Sequence, residues 1–364
     1  MRQVAVPDGR PLPPGVRRTN NQDREPARAP VHVARAPGYA AIDLGTNNCR
    51  LLIARPENAQ LIVVDAFSRI VRLGEGLQAS GRISEAAMDR AVAALSICAD
   101  KLRRRHVTLS RAVATEACRR ATNGADLVDR VRRETGIALD VIDAAEEARL
   151  AVLGCHSLLE PGQGHALIFD IGGGSTEVML VGDAAGRADI ADWISIPWGV
   201  VSLTEYAPVD GDSVAARTAA YARMRDVTRA ALADFAARIA PHASGIDLRL
   251  LGTSGTVTTL ASVFLDLPRY DRRAIDGLIV PAQAMREISQ TLAAASIDER
   301  ATFGCIGRER ADLVVAGCAI LEGIMDLWPA TRVGVADRGI REGILRRLAG
   351  LEGDSPVVRR GPPA

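Results

Sequence analysis

The sequence predicts an α/β protein with two related domains around a cleft, and three observations support this. Two short segments, 43–47 and 170–177, are near copies of each other, and each lies between apolar runs in a strand–turn–strand pattern. A strand-rich beginning followed by crossover helices occurs twice along the chain. The segment 160–164 contains one proline and two glycines and separates the two halves. Ligands usually bind in clefts between domains, so we expect the site there.

The first half begins with three strands and continues with alternating helices and strands. Ser84 and Glu85 favour the start of a helix whose apolar residues recur at helical spacing. Asn123 is expected to cap the next helix, and Gly136 to end it. The predicted strands lie near 39–46, 49–55, 60–72, 110–114 and 138–142, and the predicted helices near 84–105, 123–135 and 144–159.

The second half opens with its own strand, turn and strand over 165–181. A strand at 189–196 follows, and the chain is then mostly helical to residue 350. The sequence therefore predicts an N-terminal domain over 38–160 and a C-terminal domain over 165–350, whose last helix packs back on the first domain.

The two ends of the chain are predicted to be flexible tails. Residues 1–37 are rich in proline and arginine and lack helical or strand periodicity, so they cannot bury enough apolar surface to become ordered. Residues 351–364 are similar. The basic N-terminal tail leaves open a contact with RNA or with a protein partner.

Composition narrows the classes of function. The chain is 48% hydrophobic and 24% charged, as in a soluble globular protein. A net charge of +1 argues against a broad basic surface, so we expect no nucleic-acid partner beyond the tail. Lys101 is the only lysine, which excludes a Walker A loop and leaves arginine as the cationic side chain for phosphate.

The spacing of the cysteines and the length of the apolar runs indicate the cellular compartment of the protein. The six cysteines and five histidines lie far apart without zinc spacing, which favours free thiols in a reducing compartment. No apolar stretch reaches the roughly 18 residues needed to span a membrane, and the N-terminus lacks a signal-peptide core. We expect a cytoplasmic protein without a membrane partner.

Each repeated segment has the composition of a phosphate-binding turn. Glycine lets the backbone approach a phosphate and point N–H groups toward it, while a neighbouring carboxylate can hold a divalent cation. Asp43 and Asp170 are the carboxylates at the base of the two turns. Two such turns facing each other would clamp a polyanion. The segment 252–256 is a third small-residue turn after a strand, a weak signal by itself.

A pair of acidic residues, Glu146 and Glu147, opens the helix predicted at 144–159. Adjacent helical residues point about 100° apart, so only one of them can face a given cleft. Both can be explained by the positive end of the helix, or one can be a base for water. The residues leave this choice open.

Several arginines are candidates for contact with phosphate. Arg50 follows the first turn directly, and Arg119 and Arg120 lie in a short motif between strand and helix. Each could equally be a charge at the protein surface. The segment 337–345 joins an apolar strand to the last helix, and its glycines serve either a cleft or close helix packing.

Seven motifs in this order resemble the exopolyphosphatase and guanosine pentaphosphate phosphohydrolase family, within the actin-like ATPase superfamily. The resemblance covers about residues 38–350. The motifs occupy 42–47, 114–123, 146–149, 170–177, 252–256, 309–312 and 338–343.

The resemblance implies an α/β fold of two ribonuclease-H-like domains, with an active site in the interdomain cleft where water releases a terminal phosphate. By the family's pattern Glu147 is the general base, and Asp43, Asp170 and Glu177 belong to a site for Mg²⁺, or for Mn²⁺ in its place. The implied phosphate- and substrate-binding residues are Gly45, Thr46, Asn47, Arg50, Arg119, Gly172, Gly173, Gly174, Ser175, Gly252, Ser254, Gly255, Thr256 and Arg310.

The implied function is hydrolysis of the terminal phosphate of inorganic polyphosphate, together with conversion of guanosine pentaphosphate (pppGpp) to ppGpp. A protein that binds these guanosine phosphates without turnover is an alternative, because it would have the same cleft. A sugar or acetate kinase of the superfamily fits the Glu146–Glu147 motif less well.

The chain departs from the family's pattern at two places. Longer members carry further helical domains after the position equivalent to residue 350, so processivity on long chains is open. Those domains often help to form a dimer interface. If another surface replaces them here, the chain forms a homodimer, which is therefore a candidate assembly. Asp276 lies in a segment where the family often has His-Gly, and its consequence is open too.

Overall fold

The polypeptide builds two mixed β-sheets, which a computed structural model describes for residues 37–351 except 59, 163, 185–186 and 244–247. The flexible tails predicted at 1–37 and 351–364 therefore lie almost wholly outside the described residues. The strands of the first sheet are β1 Gly38–Leu44, β2 Asn48–Glu57, β3 Gln60–Ile70, β4 Val107–Ala114 and β5 Leu139–Val141. Their order is β3-β2-β1-β4-β5.

The second sheet repeats this topology and adds one edge strand. Its strands are β6 Ala166–Ile171, β7 Thr176–Ala184, β8 Arg187–Ile196, β9 Arg249–Thr253, β10 Ile279–Pro281 and β11 Arg332–Ala336, in the order β10-β11-β9-β6-β7-β8. In both sheets three antiparallel strands are followed by parallel ones, with β1 beside β4 and β6 beside β9. The two halves are therefore related, as the repeated motifs predict, while the boundaries at 160 and 165 stay a prediction.

Helices connect and cover the sheets. Those of the first half are α1 Leu77–Ser80, α2 Glu85–Arg104, α3 Glu116–Arg120, α4 Gly124–Thr135 and α5 Ala144–Cys155, which continues into a 3-10 helix at His156–Leu158. Those of the second half are α6 Val200–Tyr206, α7 Val214–Ala243, α8 Gly255–Phe264, α9 Arg272–Ile275, α10 Ala282–Ala294, α11 Ile297–Ala301, α12 Val314–Leu327 and α13 Ile340–Leu348. Within the described residues, none of these helices is long and apolar enough to cross a membrane.

Two of the three predicted helix-end signals are confirmed. The Ser84 hydroxyl accepts the N–H of Ala87 at 3.2 Å, and Gly136 ends α4 in the left-handed region at φ 75°. The predicted Asn123 cap is wrong. Its side-chain oxygen accepts the N–H of Ile83 at 2.9 Å, and its amide donates to the carbonyl of Ile83 at 2.9 Å. This long-range pair ties the start of α4 to the chain before α2.

Helices α5 and α13 pack at very short distance. A Cβ atom added to Gly343 would lie 2.1 Å from the carbonyl oxygen of Leu150, so only glycine allows this approach. On its other side α13 places Ile344 and Leu345 in a buried cluster with Leu52 and Val113 of the first sheet. The last helix thus fixes α5, which carries Glu147, against the first sheet.

Candidate active site

The two repeated segments form the same turn. In the first, the backbone N–H of Gly45 donates to the carbonyl of Asn48 at 2.9 Å. In the second, the N–H of Gly172 donates to the carbonyl of Ser175 at 3.0 Å. Each turn joins an antiparallel strand pair, β1–β2 or β6–β7. Similar sequences therefore give the same local structure twice, once on each sheet.

The two turns pack directly on each other, which requires glycine. A Cβ atom on Gly173 would lie 2.8 Å from Cβ of Thr46 and 3.0 Å from the backbone nitrogen of Asn47. A Cβ atom on Gly174 would lie 2.8 Å from Oγ1 of Thr46. These contacts set the distance between the two sheets at the site.

We expect Gly173→Ala to destabilise the fold by about 1–3 kcal/mol, because the added methyl group overpacks this contact. Activity should fall by at least about tenfold, since the two turns must move apart. Gly45→Ala is the matched control for stability, because its Cβ atom would meet its nearest neighbour at 3.6 Å. Thermal unfolding of both variants measures the difference in their stability. Equal stability of Gly173→Ala and Gly45→Ala would contradict the close contact between the two turns.

A cavity that is open to solvent lies beside the two turns, where the two halves meet. Among the described residues that line it are side chains from both sheets and from the loop before α13. The sequence predicted these: Asp43, Gly45, Thr46, Asn47, Arg50, Glu147, Asp170, Gly172, Gly173, Gly174, Ser175 and Ser254. It did not name these as site residues: Asn48, Thr115, Glu116, Thr253, Asp337, Arg338, Gly339, Ile340 and Arg341, of which the last five lie in the segment 337–345 that it left undecided.

Helix α5 presents one glutamate to the cavity and turns the other away. Glu147 lines the cavity and is 7% exposed, whereas the Glu146 carboxylate accepts from Arg111 at 2.8 Å and from Arg347. The Asp143 side chain accepts the N–H of Glu146 at 2.7 Å and so caps the helix. Of the two adjacent glutamates, Glu147 is therefore the one that faces the cleft.

Four carboxyl groups crowd around the cavity floor, and burial raises the pKa of each. The pKa of Asp170 is raised to about 6 by burial, which Arg50 opposes and Asp43 reinforces. The pKa of Glu177 is raised to about 7 by burial and by Asp170, although hydrogen bonds from Ser195 and Ser175 act against this. Burial and the Glu177 carboxylate hold the pKa of Glu147 well above its usual range. Burial raises the pKa of Asp43 as well.

These pKa shifts predict that the protein without divalent cation becomes more stable on mild acidification. A carboxyl group whose pKa is raised on folding binds protons more tightly when folded, so stability is present at low pH and is lost as pH rises through the folded pKa. With Asp170 at about 6 and Glu177 at about 7, the loss begins near the ordinary carboxyl pKa of about 4 and is complete just above pH 7. We expect the free energy of unfolding to rise by at least about 1 kcal/mol from about pH 8 to about pH 6.

Urea unfolding of the chelated protein at the two pH values measures this effect. Asp170→Asn should reduce the gain, because its amide does not titrate. If the free energy of unfolding falls on acidification over this range, the pKa values of Asp170 and Glu177 are not raised by folding.

Three guanidinium groups supply the opposite charge without ion-pair partners. In the part of the chain that the structure describes, Arg50, Arg310 and Arg341 have no carboxylate within 4.0 Å. Burial, followed by the nearby Arg341, lowers the pKa of Arg50. All three are half-buried, and a partly desolvated cation without a counter-charge is unfavourable, so these arginines are arranged for an anion that the protein itself does not supply.

Three predicted site residues line neither this cavity nor the second cavity that adjoins it. The guanidinium of Arg119 donates to Glu116 at 2.6 Å and to Glu147 at 3.3 Å, so it faces the carboxylates and not the open space. The Glu177 carboxylate lies behind Asp170 on the paired strand and accepts the Ser195 hydroxyl at 2.7 Å. A Cβ atom on Gly252 would meet the Phe169 ring at 2.7 Å, and the role of Gly252 is therefore close packing.

The third turn reaches the cavity through a strained residue. Ser254 has φ 80°, a left-handed conformation that a non-glycine residue rarely adopts and that costs of order 1–3 kcal/mol. Its side chain forms a hydrogen bond with Asp170 that lowers the pKa of that carboxyl. Gly255, Thr256 and Arg310 line an adjoining second cavity.

The loop before α13 is the main part of the site that the sequence left undecided. Arg341, in the first turn of α13 just after this loop, lines the cavity, and its charge lowers the pKa of both Asp43 and Arg50. Asp276 holds this loop: its carboxylate accepts the N–H of Asp337 at 3.0 Å and the Nε of Arg338 at 2.8 Å. The residue that departs from the family's His-Gly pattern therefore anchors one wall of the cavity.

The carboxylates of the cavity fit a hard divalent cation. Oδ1 of Asp43 is buried without a hydrogen-bond partner in the described structure, which leaves it free to coordinate an ion. No group of three His, Cys, Asp or Glu residues with metal-site geometry occurs among the described residues. Magnesium suits such a site, because it is commonly held by one or two carboxylates and completes its shell with water and phosphate oxygens.

Comparisons with known proteins lead to the same family. The model of the Ppx/GppA phosphatase family matches residues 52–352. The chain belongs to this family. It is 32% identical over 330 residues to exopolyphosphatase 2 of Mycobacterium tuberculosis, covering 85% of this chain and 98% of that protein. A guanosine-5'-triphosphate,3'-diphosphate pyrophosphatase of Aeromonas hydrophila is 29% identical over 320 residues, but the chain covers 61% of its length.

A solved Ppx/GppA relative confirms the fold class. The crystal structure of an exopolyphosphatase from Cytophaga hutchinsonii matches with a TM-score of 0.76 and 28% identity, over 86% of this chain and 98% of that chain. The predicted architecture of two ribonuclease-H-like domains of the actin-like type is therefore correct.

Proposed function

We propose that the chain is an exopolyphosphatase, which hydrolyses the terminal phosphoanhydride bond of inorganic polyphosphate. One observation carries this proposal: the Glu147 carboxylate faces a cavity that also contains two phosphate-type turns and unpaired arginines. The exopolyphosphatase of Mycobacterium tuberculosis is matched over 98% of its length, so a chain of this size suffices for that relative's fold.

Glu147 is placed to activate water. Its raised pKa makes the carboxylate a stronger base than an exposed glutamate, and the Arg119 guanidinium at 3.3 Å orients it and favours its ionised form. Glu147 takes a proton from the attacking water while the bond between the terminal phosphorus and the bridging oxygen breaks. The products are orthophosphate and a chain that is one phosphate shorter.

The two turns and the arginines stabilise the charge of the terminal phosphate. Backbone N–H groups of the glycine turns offer fixed donors, and Arg50 and Arg341, which lie near each other, offer guanidinium groups. Phosphoryl transfer depends mainly on such positioning and charge stabilisation, because its transition state spreads negative charge over the phosphate oxygens. Neither lysine nor cysteine occurs among the described residues that line the cavity.

Asp43 and Asp170 would hold Mg²⁺, or Mn²⁺ in its place, at the base of the two turns. Bound there, the cation would neutralise phosphate oxygens and align the terminal phosphate for attack. Glu177 would act on this site from behind, through its contact with Asp170 on the neighbouring strand.

Hydrolysis of pppGpp is the second candidate, and the adjoining cavity is the observation that favours it. Its wall contains the apolar side chains of Ile171, Val200, Leu313 and Val314, beside the polar cavity that holds the terminal phosphate. Apolar surface next to a phosphate site suits a nucleoside. The relative named for the pentaphosphate is longer than this chain, so we place polyphosphate first.

Orthophosphate release from long-chain polyphosphate, tripolyphosphate and pppGpp under the same Mg²⁺ concentration tests the proposal. We expect turnover of polyphosphate without ATP or an acceptor. Binding of ppGpp and pppGpp with no phosphate release across several metals would instead show a guanosine-phosphate sensor. ATP consumption dependent on an acceptor would show a kinase.

Two further properties stay predictions. A cytoplasmic location rests on the sequence alone. A homodimer is likewise proposed from the sequence, and sedimentation of the full chain would decide it.

A further inference from the structure

One acidic side chain of the cavity has no part in the proposed hydrolysis. Glu116 is the first residue of the short helix α3, and it lines the cavity from the first half of the molecule. Its carboxylate accepts the guanidinium of Arg119 at 2.6 Å. Residues three positions apart lie on the same face of a helix, so this pair forms within α3 itself. Glu116 therefore binds the arginine that also reaches Glu147.

The Arg119 guanidinium is held at both of its terminal nitrogens. Nη2 donates to Glu116, and Nη1 donates to the carbonyl of Ile142 at 2.7 Å and to the Glu147 carboxylate at 3.3 Å. A planar group that is bound at two nitrogens cannot rotate freely. The side chains of Glu116, Arg119 and Glu147 are all at least three-quarters buried, so water screens these contacts little.

The contact between Arg119 and Glu147 depends on the other two. At 3.3 Å it is longer than a typical N–H···O hydrogen bond and is the longest of the three, so the shorter contacts decide where the guanidinium lies. Burial would lower the pKa of Arg119, yet the carboxylates of Glu147 and Glu116 raise it above its ordinary value. Both carboxylates therefore act on the same guanidinium.

The side chain of Glu116 is fixed from the second half of the molecule. A Cβ atom on Gly174 would lie 2.9 Å from Cγ of Glu116, so the stem of the glutamate packs against the second turn. Its carboxylate meanwhile binds Arg119 of the first half. The position of the guanidinium beside Glu147 thus follows from the close packing of the two turns.

We propose that Glu116 is a positioning residue, which fixes the Arg119 guanidinium and through it directs the Glu147 carboxylate at the attacking water. The inference rests on the proposed function and adds a residue that supports its base. Glu116 itself takes no proton. A displacement of about 1 Å at a reacting group can lower a rate by as much as about 10²-fold, so a loosely held base would be slow.

Glu116→Ala is expected to lower kcat for tripolyphosphate by about tenfold, while KM falls or changes by less than about threefold. The base loses its support, whereas the two turns and Arg50 keep their contacts with phosphate. Glu116→Gln keeps an acceptor oxygen without the charge and should lie between this variant and wild type. Glu134→Ala is the matched control. It removes a carboxylate that accepts Arg130 at 2.9 Å on α4, away from the cavity, and should leave kcat within about twofold.

The same substitution in an Arg119→Gln background separates positioning from a general structural effect. If Glu116 acts through Arg119, Glu116→Ala should change kcat by less than about twofold in that background. A full tenfold loss there would overturn the proposal, and so would an equal loss in the Glu134→Ala control. An unchanged or higher kcat in Glu116→Ala alone would show that Glu116 only withholds Arg119 from the phosphate.

Thermal unfolding tests the same link without turnover. We expect Glu116→Ala combined with Glu147→Gln to have a Tm at least about 2 °C below the value obtained by adding the two single shifts, because Arg119 then loses both carboxylates. This difference should disappear when Arg119→Gln is also present. Additive shifts would overturn the proposal even in an active enzyme. Non-additive shifts in a chain that releases no phosphate would support the link to Glu147 while the proposed function fails.

Discussion

Glu147→Gln is expected to lower kcat for phosphate release by about 10²- to 10⁴-fold, the range by which a positioned general base accelerates a reaction. The amide keeps the shape of the side chain in its buried position but cannot take a proton from water. Binding should persist or become tighter, because one negative charge next to an anionic substrate is removed. Steady-state kinetics together with calorimetric binding of tripolyphosphate would separate the two effects.

Glu146→Gln is the matched control for this prediction. The two glutamates are neighbours on α5, yet Glu146 is bound by Arg111 and Arg347 on the side away from the cavity. Its substitution should leave kcat within about threefold, because exposed or partly exposed ion pairs contribute little. Full activity of Glu147→Gln would show that Glu147 is not the general base. An equal loss in both variants would indicate a damaged helix.

Arg50→Gln should lower kcat/KM by about 10²- to 10³-fold, which is the effect of removing one preorganised donor from an anion-stabilising site. Arg50 lines both cavities and has no carboxylate within ion-pair distance among the described residues, so its charge is available to the phosphate. The same arginine lowers the pKa of Asp43 and of Asp170. Without it, both carboxyl groups should protonate at higher pH.

The pH dependence of Arg50→Gln provides a second readout. The acidic limb of the kcat/KM profile should move to higher pH in this variant, whereas simple loss of packing would leave the limb in place. Arg55→Gln is the control, since Arg55 lies on the same strand and donates to the carbonyl of Arg105 at 3.1 Å. A wild-type kcat/KM in Arg50→Gln would contradict its contact with the substrate.

The parts of the fold that the sequence predicts well are those set by local chemistry. The turns at Gly45 and Gly172 follow from nearby glycine, carboxylate and flanking apolar strands, and they recur with the same hydrogen bond. Two similar turns in one chain then imply two similar sheets. The resemblance to a family predicts Glu147 as the base. Helical geometry alone does not distinguish Glu147 from Glu146.

The parts that the sequence misses depend on contacts between distant segments. Asn123 has the residue type of a helix cap, but its side chain pairs with Ile83, some forty positions earlier. Arg341 joins the cavity because α13 docks on α5 through Gly343, whereas the sequence places it only in a segment that serves either a cleft or close helix packing. Arg119 has the charge to bind phosphate, yet nearby carboxylates engage it in this structure. None of these outcomes has a local signal.

The most direct test of the account is hydrolysis of tripolyphosphate in isotopically labelled water, with mass analysis of the released orthophosphate. If Glu147 directs water to the terminal phosphorus, the orthophosphate gains one labelled oxygen and the remaining pyrophosphate gains none. Label in the pyrophosphate would show attack at the inner phosphorus and would contradict the account. Absence of hydrolysis by the wild-type chain, with Mg²⁺ or Mn²⁺ present, would contradict it equally.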